Sequence, residues 1–458
     1  MPNKFYSIVV ALLLAGCGGE ETKSPPLVTI SDVISAPAPS SAPIPTTTVL
    51  CTNPYKAEYP SSFNGKFQVP TPSYTLPQSY QRGISFKDYS PNNHLDKNGS
   101  RLGGPNCDQE QFMKLMYTQT LDRLKSSGAT MLWLYNYAPL KDANASRLSF
   151  DEADYQLSNS TIEFVVQEAR KRNIDVYYAW QLHTIDKKGN WVIQMNENVP
   201  AQTLSKLMDA YSDQMITVSK FAQKVGIKGV AADWNAFHIP NLHEPNIKEL
   251  YTTKSVEVIK NIRDNFSGNV TWGQTGSIYA DPRIIDKVDA IHISIGGPLL
   301  TPNDNALLTV EKVENAVSKQ IKQIHEQYKC TFASCVYTPA SRQIPVFFEI
   351  AVQSRDNYWS EGWVEDGFCT KGKLANGTQS DCIQDYYTTD FSVQAIGIEG
   401  AMRAITKQAY FKIGGINFHS SYWHSDTLTP GSEGFPNISQ SIRGKPAEKI
   451  VKYWFTGT

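Results

Sequence analysis

The sequence predicts an α/β fold, and three observations support this class. The 458 residues are 41% hydrophobic and 19% charged, which is typical of a packed globular protein. From Gln81 onward, short runs of β-branched and aromatic residues alternate with amphipathic segments of helical length. No GxGxxG or Walker motif is present, which disfavours an open nucleotide-binding sheet.

The predicted elements alternate strictly along the chain. The strands span 83–86, 129–135, 175–180, 229–233, 269–272, 290–294, 345–349 and 415–419. Helices are predicted over 108–127, 161–173, 203–225, 247–265, 282–287, 310–328, within 386–409, and over 445–453. Eight apolar strands, each followed by a helix, predict a (β/α)8 TIM barrel with long loops. The alternative is a Rossmann-like sheet with an appended domain.

The N-terminus predicts export. Lys4 precedes a short apolar run that ends in Leu14-Ala15-Gly16-Cys17, which resembles the lipobox of bacterial lipoproteins. The resemblance implies a signal peptide over 1–16, lipid attachment at Cys17 and, because Gly18 follows instead of Asp, the outer membrane. Residues 17–50 are rich in Pro, Ser and Thr and predict an extended tether. Residues 51–458 are then predicted to form the barrel with an N-terminal extension.

The cysteines predict disulfides. Six remain after Cys17, an even number in an oxidising compartment. Short loops favour pairing within Cys330/Cys335 and Cys369/Cys382, which leaves Cys51 to pair with Cys107. No CxxC pair is present, so zinc binding by these thiols is disfavoured.

The balance of charge excludes one class of partner. The 43 basic and 44 acidic side chains give a formal net charge of −1, so the chain lacks the positive field that nucleic acids require. No cofactor motif is present. The predicted lipid makes a membrane one partner, and the protein is expected to act as a monomer.

Aromatic, amide and carboxyl side chains collect at the predicted C-terminal strand ends, where barrel enzymes hold their sites. Trp and Tyr rings stack on the apolar faces of sugars, while amides and imidazoles bind the hydroxyl groups. This composition favours a glycan over a phosphorylated metabolite. The predicted substrate-binding residues are Asn136, Trp180, His183, Trp234, Asn235, Trp272, Gln274, His292, His419 and Trp423.

Two carboxyl groups are candidates for glycoside hydrolysis. That reaction needs a pair of carboxyl groups, about 5 Å apart for retention and about 6.5–9.5 Å apart for inversion. Asp233 ends predicted strand four, and Glu349 ends predicted strand seven. The segment Pro345–Ile350, the strand Asp289–Ile293 and the late Trp423 resemble the family 113 β-mannanases and their clan of retaining (β/α)8 glycoside hydrolases. The resemblance implies that Glu349 is the nucleophile and that the residue ending strand four is the acid/base.

The chain departs from the clan at strand four. The clan places Asn-Glu there, whereas this chain has Asp233-Trp234-Asn235, and the next glutamate is Glu244. Asp233 is the first candidate for the acid, and Glu244 is the alternative. The shorter side chain of Asp233 would widen the separation toward the inverting distance. Two purely structural roles are also open: Asp233 bonding the barrel rim, and Glu349 pairing with Arg82 or Arg355.

Other functions compete with hydrolysis by two carboxylates. A metal-dependent barrel hydrolase would use histidines near the predicted site, but no HExxH motif is present. These histidines are His183, His238, His243, His292, His419 and His424. A glycan-binding surface lipoprotein that has lost the acid is a further alternative. No GxSxG elbow signals a nucleophilic serine. The sequence therefore predicts an extracytoplasmic glycoside hydrolase and leaves its glycan and its endo or exo action open.

Overall fold

The structure is a computed structural model, and it describes most of the chain from residue 51 onward. The described residues are 51–54, 58–72, 74–86, 100–140, 157–185, 191–192, 198–232, 239, 241–273, 281–330, 344–364, 372–373, 379–380, 386–422 and 438–458. The predicted signal peptide, Cys17 and the tether lie outside these residues. Within them, no helix is both long and apolar enough to cross a bilayer.

Eight parallel strands form the barrel. They are β1 (Gln81–Phe86), β2 (Met131–Leu140), β3 (Asp175–Ile185), β4 (Gly229–Ala231), β5 (Asn269–Trp272), β6 (Ala290–Ile295), β7 (Pro345–Ile350) and β8 (Lys412–Tyr422). Each strand pairs with the next along the chain, and β8 pairs with β1. The closed sheet confirms the predicted (β/α)8 barrel, and the open Rossmann-like alternative is wrong.

Helices surround the barrel. The longer ones among the described residues are α1 (Gln109–Ser126), α2 (Asn159–Lys171), α3 (Ala201–Val225), α4 (Pro245–Asn265), α5 (Val310–Cys330), α6 (Phe391–Lys407) and α7 (Pro446–Thr456). Shorter helices span Ser61–Asn64, Pro282–Ile285, Pro302–Ala306 and Tyr358–Glu361. Short strands span Trp191–Val192, Gly372–Lys373 and Gln379–Ser380.

Local sequence sets the bounds of α1. The Asp108 carboxylate accepts a hydrogen bond from the backbone N–H of Gln111 at 2.8 Å, and the Gln111 side chain accepts one from the Asp108 N–H at 3.2 Å. This capping box satisfies two N–H groups that have no partner within the helix. At the other end, Gly128 adopts a φ of +82°, which a side chain would disfavour, and the chain turns into β2.

Alternation along the strands divides the barrel into two faces. Side chains that point outward pack against the helices and form the main hydrophobic core. Those that point inward form a separate cluster that fills the barrel, made of Met131, Trp133, Tyr135, Tyr177, Ala179, Ala231, Ala290 and Phe347. The position of a residue in this alternation, which we call its parity, therefore decides whether its side chain points into the barrel and can reach a site at the end of the strand.

The structure contains a disulfide between Cys51 and Cys107, which confirms that predicted pairing. The bridge joins the start of the extension to the residue before the Asp108 cap of α1. Cys335, Cys369 and Cys382 lie outside the described residues, as does the side chain of Cys330, so their pairings stay predictions.

Removal of this bridge is expected to destabilise the fold. Because it links residues 56 positions apart, it restricts the unfolded chain. The double variant Cys51→Ser/Cys107→Ser should lose about 2–4 kcal/mol of unfolding free energy. Urea unfolding followed by tryptophan fluorescence measures this loss, and an unchanged midpoint and slope would contradict it.

Candidate active site

Glu349 lies inside the barrel near the C-terminal end of β7. Its register neighbours are Ser294 on β6 and Asn417 on β8, and all three side chains point inward. The Glu349 residue is buried, with 5% of its surface exposed. A carboxylate placed so deeply needs polar partners, because burial without them is costly.

Three hydrogen-bond donors hold the carboxylate. The Tyr135 hydroxyl and the Asn417 amide nitrogen both lie 3.3 Å from Oε1. The Ser294 hydroxyl lies 3.5 Å from Oε2. These donors come from β2, β8 and β6, so the folded barrel assembles the site from distant segments.

Two histidines flank the same carboxylate. Nδ1 of His292 lies 3.4 Å from Oε1 of Glu349, at ion-pair distance but without the alignment of a hydrogen bond. Nδ1 of His419 lies 4.0 Å from Oε2 and 3.0 Å from the Tyr135 hydroxyl. The ring of His292 packs between Trp133 and Phe347, with centroids 4.6 and 5.3 Å away.

These surroundings keep Glu349 ionised. Burial raises the pKa of the Glu349 carboxyl, but His292, His419 and Asn417 together outweigh burial and lower that pKa to about 2 from 4.5. Since the pKa is depressed in the folded state, this contribution to stability is present above pH 4.5 and is lost as the pH falls toward 2. At neutral pH the group can attack an electrophile or accept a proton, but it cannot act as a general acid.

Solved structures share this architecture, although no family model and no curated protein matches the sequence. A GH113 β-1,4-mannanase, solved as a complex, matches with a TM-score of 0.53 and 13% identity, over 83% of this chain and 100% of that chain. The GH113 β-mannanase AaManA from Alicyclobacillus acidocaldarius, in complex with ManMIm, matches with a TM-score of 0.51 and 14% identity, over 83% of this chain and 98% of that one. The chain shares its fold with GH113 β-mannanases. The resemblance noted in the sequence is therefore confirmed for the fold.

Of the predicted substrate-binding residues, His292 and His419 gather around Glu349. The side chains of Asn136, Trp180 and Trp272 do not, because their strand parity turns them outward. Asp233, Trp234, Asn235, Gln274 and Trp423 lie outside the described residues, and so does the side chain of His183 on β3. Their roles stay predictions.

Trp180 and Trp272 belong to the layer between barrel and helices. The ring of Trp180 lies 6.3 Å from that of Tyr211 on α3, and Trp272 lies 6.4 Å from Tyr251 on α4. Both indoles are buried. This packing supports the fold and does not place either ring beside Glu349.

A substitution at Trp180 distinguishes a packing role from a role in substrate binding. Trp180→Phe should lower the unfolding free energy by about 1–3 kcal/mol, less than a full truncation to Ala. The KM for any glycan should stay unchanged, since the ring faces α3. Urea unfolding and steady-state kinetics on the same preparation measure both quantities, and a raised KM with unchanged stability would contradict this placement.

Asn136 has a local structural role. Its amide nitrogen donates to the carbonyl of Leu157 at 3.2 Å, and its amide oxygen accepts from the Leu157 N–H at 2.7 Å. These paired bonds tie β2 to the segment that leads into α2. The amide is therefore engaged with backbone and not with the site.

Neither candidate arginine pairs with Glu349, so that structural alternative is wrong. Arg82 donates to the carbonyl of Phe455 at 3.0 Å. Arg355 stacks on Tyr387 at 4.1 Å and lies 3.3 Å from Glu361. Glu244, the alternative acid, is the N-cap residue of α4, where its carboxylate lies 3.3 Å from the Asn241 amide.

The sequence interpretation missed Tyr135, Ser294 and Asn417 as partners of Glu349. A usable signal existed for Asn417, since it lies two positions before His419 and therefore on the same face of β8. Ser294 likewise shares the inward parity of His292. The contact of Tyr135 depends on the width of the barrel, which sequence parity does not give.

A metal centre receives no support from the described side chains. Within those ranges, His, Cys, Asp and Glu form no group of three or more that could hold a metal ion.

A cavity of about 380 Å³ opens at the opposite end of the barrel, beside Arg170, Asp175 and Lys228. It lies at the N-terminal strand ends, away from Glu349, where barrel residues usually serve stability.

Proposed function

We propose that the protein is a glycoside hydrolase in which Glu349 is the nucleophile of a retaining mechanism. The observation that carries the proposal is a buried, ionised carboxylate at the C-terminal end of β7, held by three donors, in a barrel shared with GH113 β-mannanases. A nucleophile must carry its negative charge before the reaction starts, and the low pKa of Glu349 meets this requirement.

The reaction needs a second carboxyl group that starts protonated. Glu349 attacks the anomeric carbon while this second group protonates the departing oxygen, and water then releases the sugar. Asp233, which comes two residues after the last residue of β4 in the sequence, is the first candidate. Glu244 at the start of α4 is the alternative.

The first substrate class to test is a β-1,4-linked mannan. Two structures with TM-scores above 0.5 are described as β-1,4-mannanases, and a third neighbour as a β-mannanase. Inside the barrel, His292 and His419 place imidazole groups near Glu349, and 28% of the His419 side chain is exposed.

The proposed compartment is outside the cytoplasm, with attachment to the outer membrane through a lipid at Cys17. The signal sequence pattern supports this proposal. The disulfide between Cys51 and Cys107 supports it as well, since such bridges persist in oxidising compartments.

A glycan screen tests the function directly. The full chain carrying Cys17→Ser, which removes the thiol proposed to carry the lipid, is incubated with β-mannan, glucomannan, galactan, xylan and β-glucan, and new reducing ends are measured. We expect release from at least one of them. If the protein binds a glycan but releases new reducing ends from none of the panel, the glycan-binding lipoprotein is favoured instead.

Azide rescue then tests the role of Glu349. In Glu349→Ala, azide fills the space of the lost carboxylate and attacks the anomeric carbon of an activated β-glycoside. The expected product is a glycosyl azide of inverted anomeric configuration, seen by NMR. A product with retained configuration would identify Glu349 as the acid/base, and this would overturn its assignment as nucleophile.

A further inference from the structure

Tyr135, one of the donors to Glu349, is itself hydrogen-bonded to His419. We propose that His419 is a positioning residue whose Nδ1–H fixes the Tyr135 hydroxyl as a donor to Oε1 of Glu349, which leaves Oε2 as the attacking oxygen. This inference rests on the proposed function of Glu349. It deepens that function by naming which oxygen reacts and which side chains select it.

The pair is built by strands on either side of β1. Tyr135 is an inward residue of β2, and His419 is an inward residue of β8. Their ring centroids lie 4.8 Å apart with the planes at 74°, so the two rings pack edge to face. The Tyr135 hydroxyl is therefore fixed by its ring as well as by its hydrogen bonds.

The count of protons fixes the direction of these bonds. Ionised Glu349 offers only acceptors, so the Tyr135 hydroxyl donates its one proton to Oε1 across 3.3 Å. The phenol oxygen then accepts the bond from Nδ1 of His419 across 3.0 Å. The imidazole therefore carries a proton on Nδ1, which both the matching neutral tautomer and the cation provide.

The two oxygens of Glu349 are held unequally. Oε1 takes bonds from Tyr135 and from the Asn417 amide, each at 3.3 Å. Oε2 has the Ser294 hydroxyl at 3.5 Å, the limit of a hydrogen bond. Breaking the contact of Oε2 therefore costs less free energy than breaking the two hydrogen bonds of Oε1.

The reaction follows from this asymmetry. Oε2 forms a bond to the anomeric carbon as the glycosidic C–O bond breaks, and the departing oxygen takes its proton from the acid/base residue. Oε1 becomes the carbonyl oxygen of the glycosyl ester and keeps both donors. In the second step water attacks the anomeric carbon, the acid/base residue takes a proton from that water, and the bonding electrons return to Glu349 as carboxylate.

The donors on Oε1 act most strongly in the second step. There the carboxylate departs, and its growing charge is stabilised by Tyr135 and Asn417. Loss of the Tyr135 hydroxyl makes Glu349 a poorer leaving group, so the glycosyl-enzyme accumulates. Accumulation of a covalent intermediate lowers kcat and KM together, whereas lost sugar binding raises KM.

The kinetic test uses phenylalanine variants that keep the ring packing. Tyr135→Phe should lower kcat about 10- to 100-fold, the usual effect of losing a hydrogen bond to a charged group, and KM should fall with it. His419→Phe should show a smaller loss of the same kind. The double variant should lie within about twofold of Tyr135→Phe, since His419 acts through that hydroxyl.

A control and a rescue separate this role from general damage. Tyr177 is another tyrosine inside the barrel, whose hydroxyl accepts from the Asn269 amide at 3.0 Å, and Tyr177→Phe should leave kcat and KM unchanged. His419→Asn keeps an N–H near the position of Nδ1 and should restore most of the activity lost in His419→Phe. Independent, multiplicative losses in the double variant would overturn the role of His419.

A titration that needs no substrate separates the inference from the function it rests on. The δ-carbon of Glu349 is followed by NMR in protein labelled with ¹³C-glutamate, and Glu349→Gln identifies its signal. Tyr135→Phe should raise the pKa of Glu349 by about one pH unit, because the carboxylate loses a hydrogen-bond donor. His419→Phe should raise it as well, since the charge of His419 also lowers that pKa directly. An unmoved pKa would overturn the inference even if glycans are hydrolysed. If the pKa shifts but no glycan is hydrolysed, the proposed hydrolase function is overturned, while the hydrogen bond between Tyr135 and Glu349 is supported.

Discussion

Glu349→Gln is expected to abolish glycan hydrolysis and to leave glycan binding intact. The amide is nearly the same size as the carboxylate but cannot form the glycosyl ester, so kcat should fall by about 10⁴-fold or more. Binding should persist because the variant keeps the shape of the pocket. Reducing-end release measures the first effect, and calorimetric titration with an unhydrolysed oligosaccharide measures the second.

Glu257→Gln is the matched control for this prediction. Glu257 lies on the outer surface of α4, where its carboxylate lies 3.1 Å from Lys254, and its loss should not change kcat. If Glu349→Gln kept more than about a tenth of the wild-type kcat, the carboxylate would not be the nucleophile, since one tenth corresponds to only about 1.4 kcal/mol of barrier.

Of the variants described, Glu399→Ala is expected to lose the most unfolding free energy. Glu399 on α6 is fully buried, and its two oxygens accept bonds from Arg403 Nε at 2.7 Å and from the indole N–H of Trp454 on α7 at 2.6 Å. Removing this carboxylate leaves the buried indole N–H of Trp454 without its acceptor and takes a buried partner from Arg403, which costs about 3–5 kcal/mol. Urea unfolding followed by fluorescence should show this loss.

Glu110→Ala provides a matched control, because Glu110 and Lys114 also form an i,i+4 pair within a helix. This pair lies on the surface of α1 with its atoms 2.5 Å apart, and 75% of the Glu110 side chain is exposed. Its removal should cost at most about 0.5 kcal/mol. If Glu399→Ala and Glu110→Ala lost the same unfolding free energy, the structural role of Glu399 would be contradicted.

The fold was predictable because its signals are local. Runs such as 345–349 and 290–294 fall inside β7 and β6 almost residue for residue, and Gly128 follows α1 as its sequence predicted. Each run is short and mostly apolar, and its polar residues, His292, Ser294 and Glu349, point into the barrel. Counting such runs was enough to give the closed sheet.

The site was predictable only in part. Glu349, His292 and His419 share inward parity near the strand ends, and the structure brings them together. Trp180 and Trp272 also lie near strand ends, but they have outward parity, which composition alone does not reveal. The contact between Tyr135 and Glu349 joins residues 214 positions apart, and it depends on the three-dimensional closure of the barrel.

Covalent trapping tests the role of Glu349 most directly. The Cys17→Ser protein is incubated with a 2-deoxy-2-fluoro-β-mannosyl fluoride, which forms the glycosyl-enzyme faster than water releases it, and its peptides are then analysed by mass spectrometry. The expected result is a single added fluorosugar on the peptide that contains Glu349. A label on another carboxylate, in a protein that hydrolyses mannan, would contradict the assignment of Glu349 as the nucleophile.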